Sequence, residues 1–537
     1  MSPRIPWLNS LAFLLLVSTA PLAHAADPAI TVDLSVRRAE LQPFWASTGF
    51  SPADVIATPE MQAVAEDDAQ LPRRGLQFIR PHYLLNLAVV RGMDTDRPEY
   101  DWSRLDRSLD LLVHNRFKLI FELMGFPSDG SGQDQYDKNF QEQIGRGHGY
   151  FDNLRAPGRM ARWRVFIAAL ARHLEERYGA DEVRSWLFES TNEPNLPHFW
   201  RYNVDVFLAY YDASSDGLAD ADPALKFGGP ASSPPELSEF FTRLMAHCAT
   251  EGRRLDFISV HIKDQPQAMV ARELSVIGWV RSHYPSLGDK PFLNDEADPI
   301  AGWARPLWWE AGPWYAAFVA QNLDWHQRLE VEQAGVRLTL VSNDDSFLGG
   351  WDQRTTHTLF RQQPSAPGFV IVRKPVLSVT ELLGRLRETL VASSLPSELH
   401  GHAGVIATRD ARSAAILLYN KTDMSILADG PSETEAAPLE ARQSVRVTVR
   451  ISGLPAGSLR LTELRIDNDH GNPYGVWKTL GRPAVLDAQQ AAALVAAQDP
   501  AQVRSETVAP KDGRLALPVS LPAPSVILLL LDSAAGP

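Results

Sequence analysis

From about residue 43 the chain repeats one pattern eight times: a short apolar run, a polar loop, then a stretch whose apolar residues recur every three or four positions. The runs are 43–50, 75–85, 117–127, 185–194, 225–232, 255–263, 290–299 and 336–347. Between them, 159–179 (RMARWRVFIAALARHLEERYG) is the clearest helical stretch, followed by 105–115, 204–218, 236–249 and 268–284. Strands that alternate with helices imply a parallel sheet with helices outside. Eight units in about 340 residues predict a (β/α)8 barrel. The competing doubly wound sheet usually carries a Gly-rich phosphate turn after its first strand, and residues 44–52 contain none.

A last helix, 376–390, is expected to close the eighth unit, giving a barrel over 43–386. Beyond it the texture changes to short alternating runs (403–408, 413–419, 443–451, 459–467 and 525–531) punctuated by Gly, Pro, Asn and Asp. These predict a β-sandwich. The alternating ITVDLS at 30–35 has no barrel partner and is assigned to the same sandwich, which then comprises 27–42 plus 387–537. The Ala- and Gln-rich segment 486–509 is expected to hold one short helix. The expected fold class is α/β, a TIM barrel with an accessory β-sandwich domain.

Residues 1–25 read as a secretory signal: Arg4, an apolar run at 11–17, then Ala23-His24-Ala25 as a cleavage site. A secreted or periplasmic location is expected, with no membrane attachment after cleavage. Cys248 is the single cysteine, so an intrachain disulfide and a Cys-based zinc site are both excluded. It falls in a helical pattern and is expected in the core. The net charge is −13 and no basic stripe is present, which argues against nucleic acid and anionic membranes as partners. The 14 Trp include Trp102, Trp200, Trp303, Trp308, Trp309, Trp314 and Trp351. These suit either sugar platforms or caps on a barrel core.

Catalysis on a barrel happens at the C-terminal ends of its strands. The second strand ends Arg80-Pro81-His82, and the fourth ends Asn192-Glu193-Pro194. The sixth ends His261-Ile262-Lys263, the seventh Asn294-Asp295-Glu296-Ala297-Asp298, and the eighth Asn343-Asp344-Asp345. Strands four and seven face each other across the mouth. Glycoside cleavage needs one carboxyl to protonate the leaving oxygen and an ionised one to attack or stabilise the anomeric carbon. Glu193 and Glu296 fit those roles, with Asn192 placed for a sugar hydroxyl. Asp298 is either a salt-bridged structural group or a hydroxyl acceptor. His82 and His261 are either hydroxyl binders or satisfied core residues. Lys263, Arg354 and Arg80 are the cations available to meet an acidic sugar, though each, taken singly, is more often a structural ion-pair partner. No cofactor is required by this chemistry, and no metal-ligand spacing is visible along the chain.

These motifs resemble the α-L-iduronidases within glycoside hydrolase family 39. The segment Asn294-Asp295-Glu296-Ala297-Asp298-Pro299 with Gly302-Trp303 carries the resemblance most strongly. So do His82-Tyr83-Leu84-Leu85, Phe121-Glu122-Leu123-Met124-Gly125, Gly228-Gly229-Pro230, Ser342-Asn343-Asp344 and Arg373-Lys374-Pro375. The resemblance implies Glu193 as proton donor and Glu296 as nucleophile of a retaining exo-glycosidase. It implies His82, Asn192, His261, Lys263, Gly302, Asp344 and Arg354 around the sugar, with Arg354 and the Gly302 backbone at a uronate carboxylate. The implied partner is an oligosaccharide or glycosaminoglycan ending in α-L-iduronic acid. The loops Ser51-Pro52-Ala53-Asp54 and Pro127-Ser128-Asp129-Gly130 depart from the animal pattern and bear on what lies beyond the terminal sugar. Two alternatives stay open: a β-xylosidase of the same family, and a non-catalytic glycan-binding protein on the same fold.

Overall fold

A computed structural model describes residues 27–49, 53–72, 74–129, 151, 153–302, 306–362, 368–424 and 432–533. The proposed export signal, the Ser51-Pro52 step, Gly130 and Trp303 lie outside the described residues.

Eight parallel strands form the barrel: Ser47–Thr48, Phe78–Ile79, Lys118–Glu122, Leu187–Glu189, Lys226–Ser232, Ile258–Val260, Phe292–Asn294 and Leu338–Val341. Each lies inside its expected run. The cylinder closes where the Val341 N–H donates to the Phe44 carbonyl at 2.8 Å and Thr48 bridges to Asn343. The pleat sends alternate side chains to opposite faces. Inward-pointing Ile120, Leu187, Phe257, Leu293 and Leu340 fill the barrel, and their neighbours pack outward under the helices. The Arg159–Tyr178 helix lies against Val204–Ala221, with the Trp163 indole donating to Ser214 Oγ at 2.8 Å. Asn203 and Ser238 cap the helices that follow them by accepting the third backbone N–H, a job their short side chains suit. Cys248 is buried in Glu239–Thr250, where loss of water pushes its thiol up to about 12.

Parts of the barrel region escape the sequence pattern, the helix Pro59–Asp68 among them. Pro313–Trp325 is a helix buried almost all round, so it has no solvent-facing side to reveal a period. It runs into a π-wound turn, His326–Gln333. A three-stranded sheet, Ser346–Gly349, Thr355–Arg361 and Phe369–Arg373, is inserted after the eighth strand. The final helix is also shorter than expected. It spans Pro375–Gly384, and Thr389–Ser394 is already a strand.

The accessory domain is one mixed nine-stranded sheet. Its order is Ala501–Val508, Leu459–Asp467, Ser525–Ser533, Ser413–Asn420, Ala403–Arg409, Thr389–Ser394, Ala29–Glu40, Val445–Ser452 and Leu515–Leu521. Inward residues from both ends, Leu461 and Ile527 with Val449 and Leu517, share one core. The sheet therefore curls until its halves face each other as sandwich layers would. A short helix, Ala488–Ala496, occupies the Ala-rich segment. The opposite face packs on the barrel's Pro313–Trp325 helix: Trp314 donates to the Thr422 carbonyl at 2.9 Å, and Tyr419 donates to Asp324 at 2.7 Å.

The tryptophans divide in favour of the core. Trp309 and Trp314 are buried, Trp200 packs on Tyr210, and Trp351 packs among Phe360, Tyr474 and Trp477. Trp102 stacks on Tyr100 and His173 at the barrel's outside.

Candidate active site

Glu193 follows the fourth strand on a backbone at φ 40°, a conformation a non-glycine residue rarely adopts. Its N–H is pinned to the Ala231 carbonyl at 3.0 Å. Held there, its carboxylate points across the mouth toward Glu296, two residues beyond the seventh strand. An oxygen of Glu193 and an oxygen of Glu296 lie within 4.8 Å of each other, and His261 completes the group. The His261 Nδ1 is 3.0 Å from Glu193 Oε1 and 3.2 Å from Glu296 Oε2. The imidazole thus bridges the two acids from below.

The electrostatics separate the groups by role. Burial alone would raise the Glu296 carboxyl, but His261, Lys263, Arg80 and His82 outweigh it and hold the group well below the usual carboxylate range. Lys263 Nζ supplies the closest contact, 2.5 Å from Glu296 Oε2, and reaches Asp344 Oδ2 at 2.9 Å. Burial would lower His261, yet Glu296, Asp295 and Glu193 raise it to about 10, so the ring is an imidazolium. Asp295 is buried, but Arg80 and His261 bring it to about 2. Burial and neighbouring Asp295 push Glu189 well above its usual value despite the Arg80 contact.

Arg80 takes the structural one of the two parts open to it. Its guanidinium is buried and grips Glu189 at 2.8 Å and Glu296 at 3.0 Å, with Glu122 and Asp295 also in reach and Asn192 Oδ1 at 3.2 Å. Set among four carboxylates and an amide, it is the counter-ion beneath the site and neutralises groups that the protein itself supplies. His82 Nδ1 is tied by a short contact to Glu122, and its Nε2 lies 3.9 Å from Glu296 Oε1. Glu122 and Glu189, which complete this layer, were not singled out by the sequence. A carboxylate inside an otherwise apolar strand is the signal that could have found them.

On the far side, Asp298 is fully satisfied as structure. It accepts from Tyr315 Oη at 2.6 Å, Asn343 Nδ2 at 3.2 Å, the Asp344 N–H at 3.0 Å and Arg354 at 3.2 Å. Arg354 is buried, also donates to the Ile300 carbonyl at 2.9 Å, and stands 3.9 Å from Asp344. It therefore sits behind the 298–302 loop and anchors it. Gly302 ends that loop, exposed, at φ 91°, with open space where a Cβ would go. Asp344 is raised to about 7, by burial first and by Glu296 second. Lys374 supports the inserted sheet by donating to the carbonyls of Gly350, Trp351 and Gln353 at 2.8, 3.1 and 2.7 Å.

Folding also assembles groupings invisible along the chain. Among the described residues, Asp67/Asp68/His357, Glu193/His261/Glu296 and Glu273/His326/Glu330 have the spacing of metal ligands. The first already pairs with Arg373 at 2.9 Å, and the second with Lys263 and Arg80. In these two an internal cation stands where a metal's charge would act.

Comparison with known proteins agrees with this architecture. Residues 29–516 match the family profile of Glycosyl hydrolases family 39. The chain is 33% identical to α-L-iduronidase of Mus musculus over 97% of its own length and 83% of the relative's. Against the Homo sapiens α-L-iduronidase it is 33% identical over 98% of this chain and 82% of that one. Among solved structures, the bacterial orthologue of human α-L-iduronidase superposes with a TM-score of 0.81 at 31% identity, covering 95% of this chain and 84% of the other. With a matched barrel, a matched second sheet and a carboxylate pair at its mouth, this chain belongs to glycoside hydrolase family 39.

Proposed function

We propose that the chain is an exported, exo-acting, retaining α-L-iduronidase that removes terminal α-L-iduronic acid from glycosaminoglycan-type chains. The observation that carries the mechanism is the approach of the Glu193 and Glu296 oxygens to within 4.8 Å. Inverting enzymes keep their carboxyls about 6.5–9.5 Å apart to leave room for a water between the general base and the sugar, whereas retaining pairs lie at about 5–5.5 Å.

Glu193 donates its proton to the glycosidic oxygen as the bond to the anomeric carbon breaks, and the aglycone leaves as an alcohol. Glu296, kept ionised by Lys263, His261 and Arg80, attacks that carbon and forms a glycosyl ester. The Glu193 carboxylate then takes a proton from water, whose oxygen displaces Glu296. Both glutamates end as they began, and configuration is retained through two inversions.

Support for a uronide as substrate comes from the similarity to α-L-iduronidases across nearly the whole chain and from Lys263, which faces the same space as Glu296. A β-xylosidase would present no sugar carboxylate to that cation. Export rests on the signal read in residues 1–25.

Turnover of fluorogenic α-L-iduronide and β-xyloside, measured side by side with Glu296→Gln, tests the reading. The iduronide should be the better substrate, and the variant should lose activity on the order of 10⁴-fold. A faster xyloside would remove the iduronidase assignment, and an active Glu296→Gln would remove the nucleophile assignment.

A further inference from the structure

Asn294 is the last residue of the seventh barrel strand, two positions before Glu296, and its side chain is fully buried. Its amide oxygen accepts the Ile262 N–H at 3.2 Å and the Glu296 N–H at 3.3 Å. Its amide nitrogen donates to the Ile262 carbonyl at 2.8 Å and to Glu273 Oε1 at 2.5 Å. Ile262 stands between His261 and Lys263, two of the cations in contact with Glu296. One amide thus links the backbone of Glu296 to the backbone that carries its cationic partners.

The outer end of the chain is equally fixed. Glu273 lies on the Pro266–His283 helix, outside the barrel wall, and is fully buried. His326, in the π-wound turn, donates from Nδ1 to the Asn322 carbonyl at 2.8 Å and turns Nε2 to Glu273 Oε2 at 2.8 Å. Burial would raise Glu273, but His326 and the Glu330 carboxyl bring it below its usual value. Glu330 itself is held well above its usual value by burial and by Glu273. An anionic Glu273 can only accept, so it fixes which way the Asn294 amide faces.

We propose that Asn294 and Glu273 are positioning residues for the nucleophile: the buried chain His326–Glu273–Asn294 sets the placement of Glu296 relative to Lys263 and His261. Neither residue touches substrate. Their effect is on the attack distance, where a displacement of about 1 Å can cost 10²-fold in rate. The proposal rests on the reading of Glu296 as nucleophile.

The test uses the full-length enzyme and a fluorinated iduronide that accumulates the glycosyl-enzyme. Its stoichiometry counts competent sites, and peptide mass spectrometry of the wild type locates the ester. Per competent site, Asn294→Ala should lower kcat about a hundredfold with KM within about threefold of wild type. Glu273→Leu, which removes the acceptor, should lose about tenfold, while Glu273→Gln, which keeps an acceptor oxygen toward Asn294, should retain at least about half of kcat. Unchanged kcat per site in Asn294→Ala and Glu273→Leu would overturn the proposal, since a merely structural role costs only the number of folded sites. So would a Gln variant as slow as the Leu variant, which would point to charge instead of the hydrogen bond. If Asn294→Ala fails to fold, the Glu273 pair decides. An ester on a residue other than Glu296 would defeat the nucleophile reading itself and is seen before any variant is made.

Discussion

Asp344 answers to two neighbours of opposite sign, Lys263 at 2.9 Å and the Glu296 charge, inside a buried pocket that favours its neutral form. Raised to about 7, it is protonated below that pH and anionic above it. A negative sugar entering beside Lys263 then meets one more negative charge as the solution turns alkaline. KM for an iduronide should therefore climb as pH rises through about 7, while KM for a neutral glycoside stays level. Asp344→Asn should flatten the climb, and initial-rate measurements from pH 5 to 8.5 would show it; a flat wild-type profile would refute the idea. Glu193 and Glu296 were legible in the sequence because a strand end tells where a side chain emerges. The part played by Arg80 stayed open for the converse reason. What an arginine does depends on what faces it, and its four acidic partners come from the third, fourth and seventh strands.

Barrel strands tolerate little change where neighbours press on them. A Cβ on Gly228, in the fifth strand, would sit 2.3 Å from the Phe257 carbonyl oxygen and 2.7 Å from its ring. Backbone cannot step aside cheaply, so Gly228→Ala should cost about 2 kcal/mol of stability. Gly278 offers the contrast. It lies exposed in the Pro266–His283 helix with nothing within 4 Å of a new Cβ, and Gly278→Ala should add about 0.5–1 kcal/mol by helix propensity. Thermal or denaturant melts of the two variants should move in opposite directions. Stretches such as Ser103–His114 and Glu239–Thr250 were legible because one face of each is apolar and the other polar. Pro313–Trp325 was hidden by being buried on almost every side, and the Arg354-bearing insertion by short strands that mimic loop texture.

For the molecule as a whole, buried carboxyls tie stability to acid pH. Asp68 and Asp344 are raised to about 7 and Glu310 to about 9, with burial the leading cause in each. Unfolded, these groups lose their protons near their ordinary values of about 4. Between those limits the native state holds more protons than the unfolded one, so stability falls as pH rises. Above pH 7 the decline should soften, because buried Lys374 at about 7 and Lys421 at about 8 act in the opposite sense. Below about 4 the lowered Asp295 and Glu296 lose their benefit. Tm should peak at about pH 4–5 and drop most steeply toward pH 7, with Glu310→Gln reducing the slope; a Tm that rises from pH 5 to 7 would contradict this. The nine-stranded sheet carries a different consequence, one of timing. Its strand Ala29–Glu40 pairs with Thr389–Ser394 and Val445–Ser452. A ribosome working at about 5–20 residues per second delivers the first of these partners on the order of tens of seconds later. Throughout that interval Ile30, Val32 and Leu34 have no sheet to join. The strand Ala29–Glu40 thus waits, and the curled sheet can only be sealed once Ser525–Ser533 has also been made.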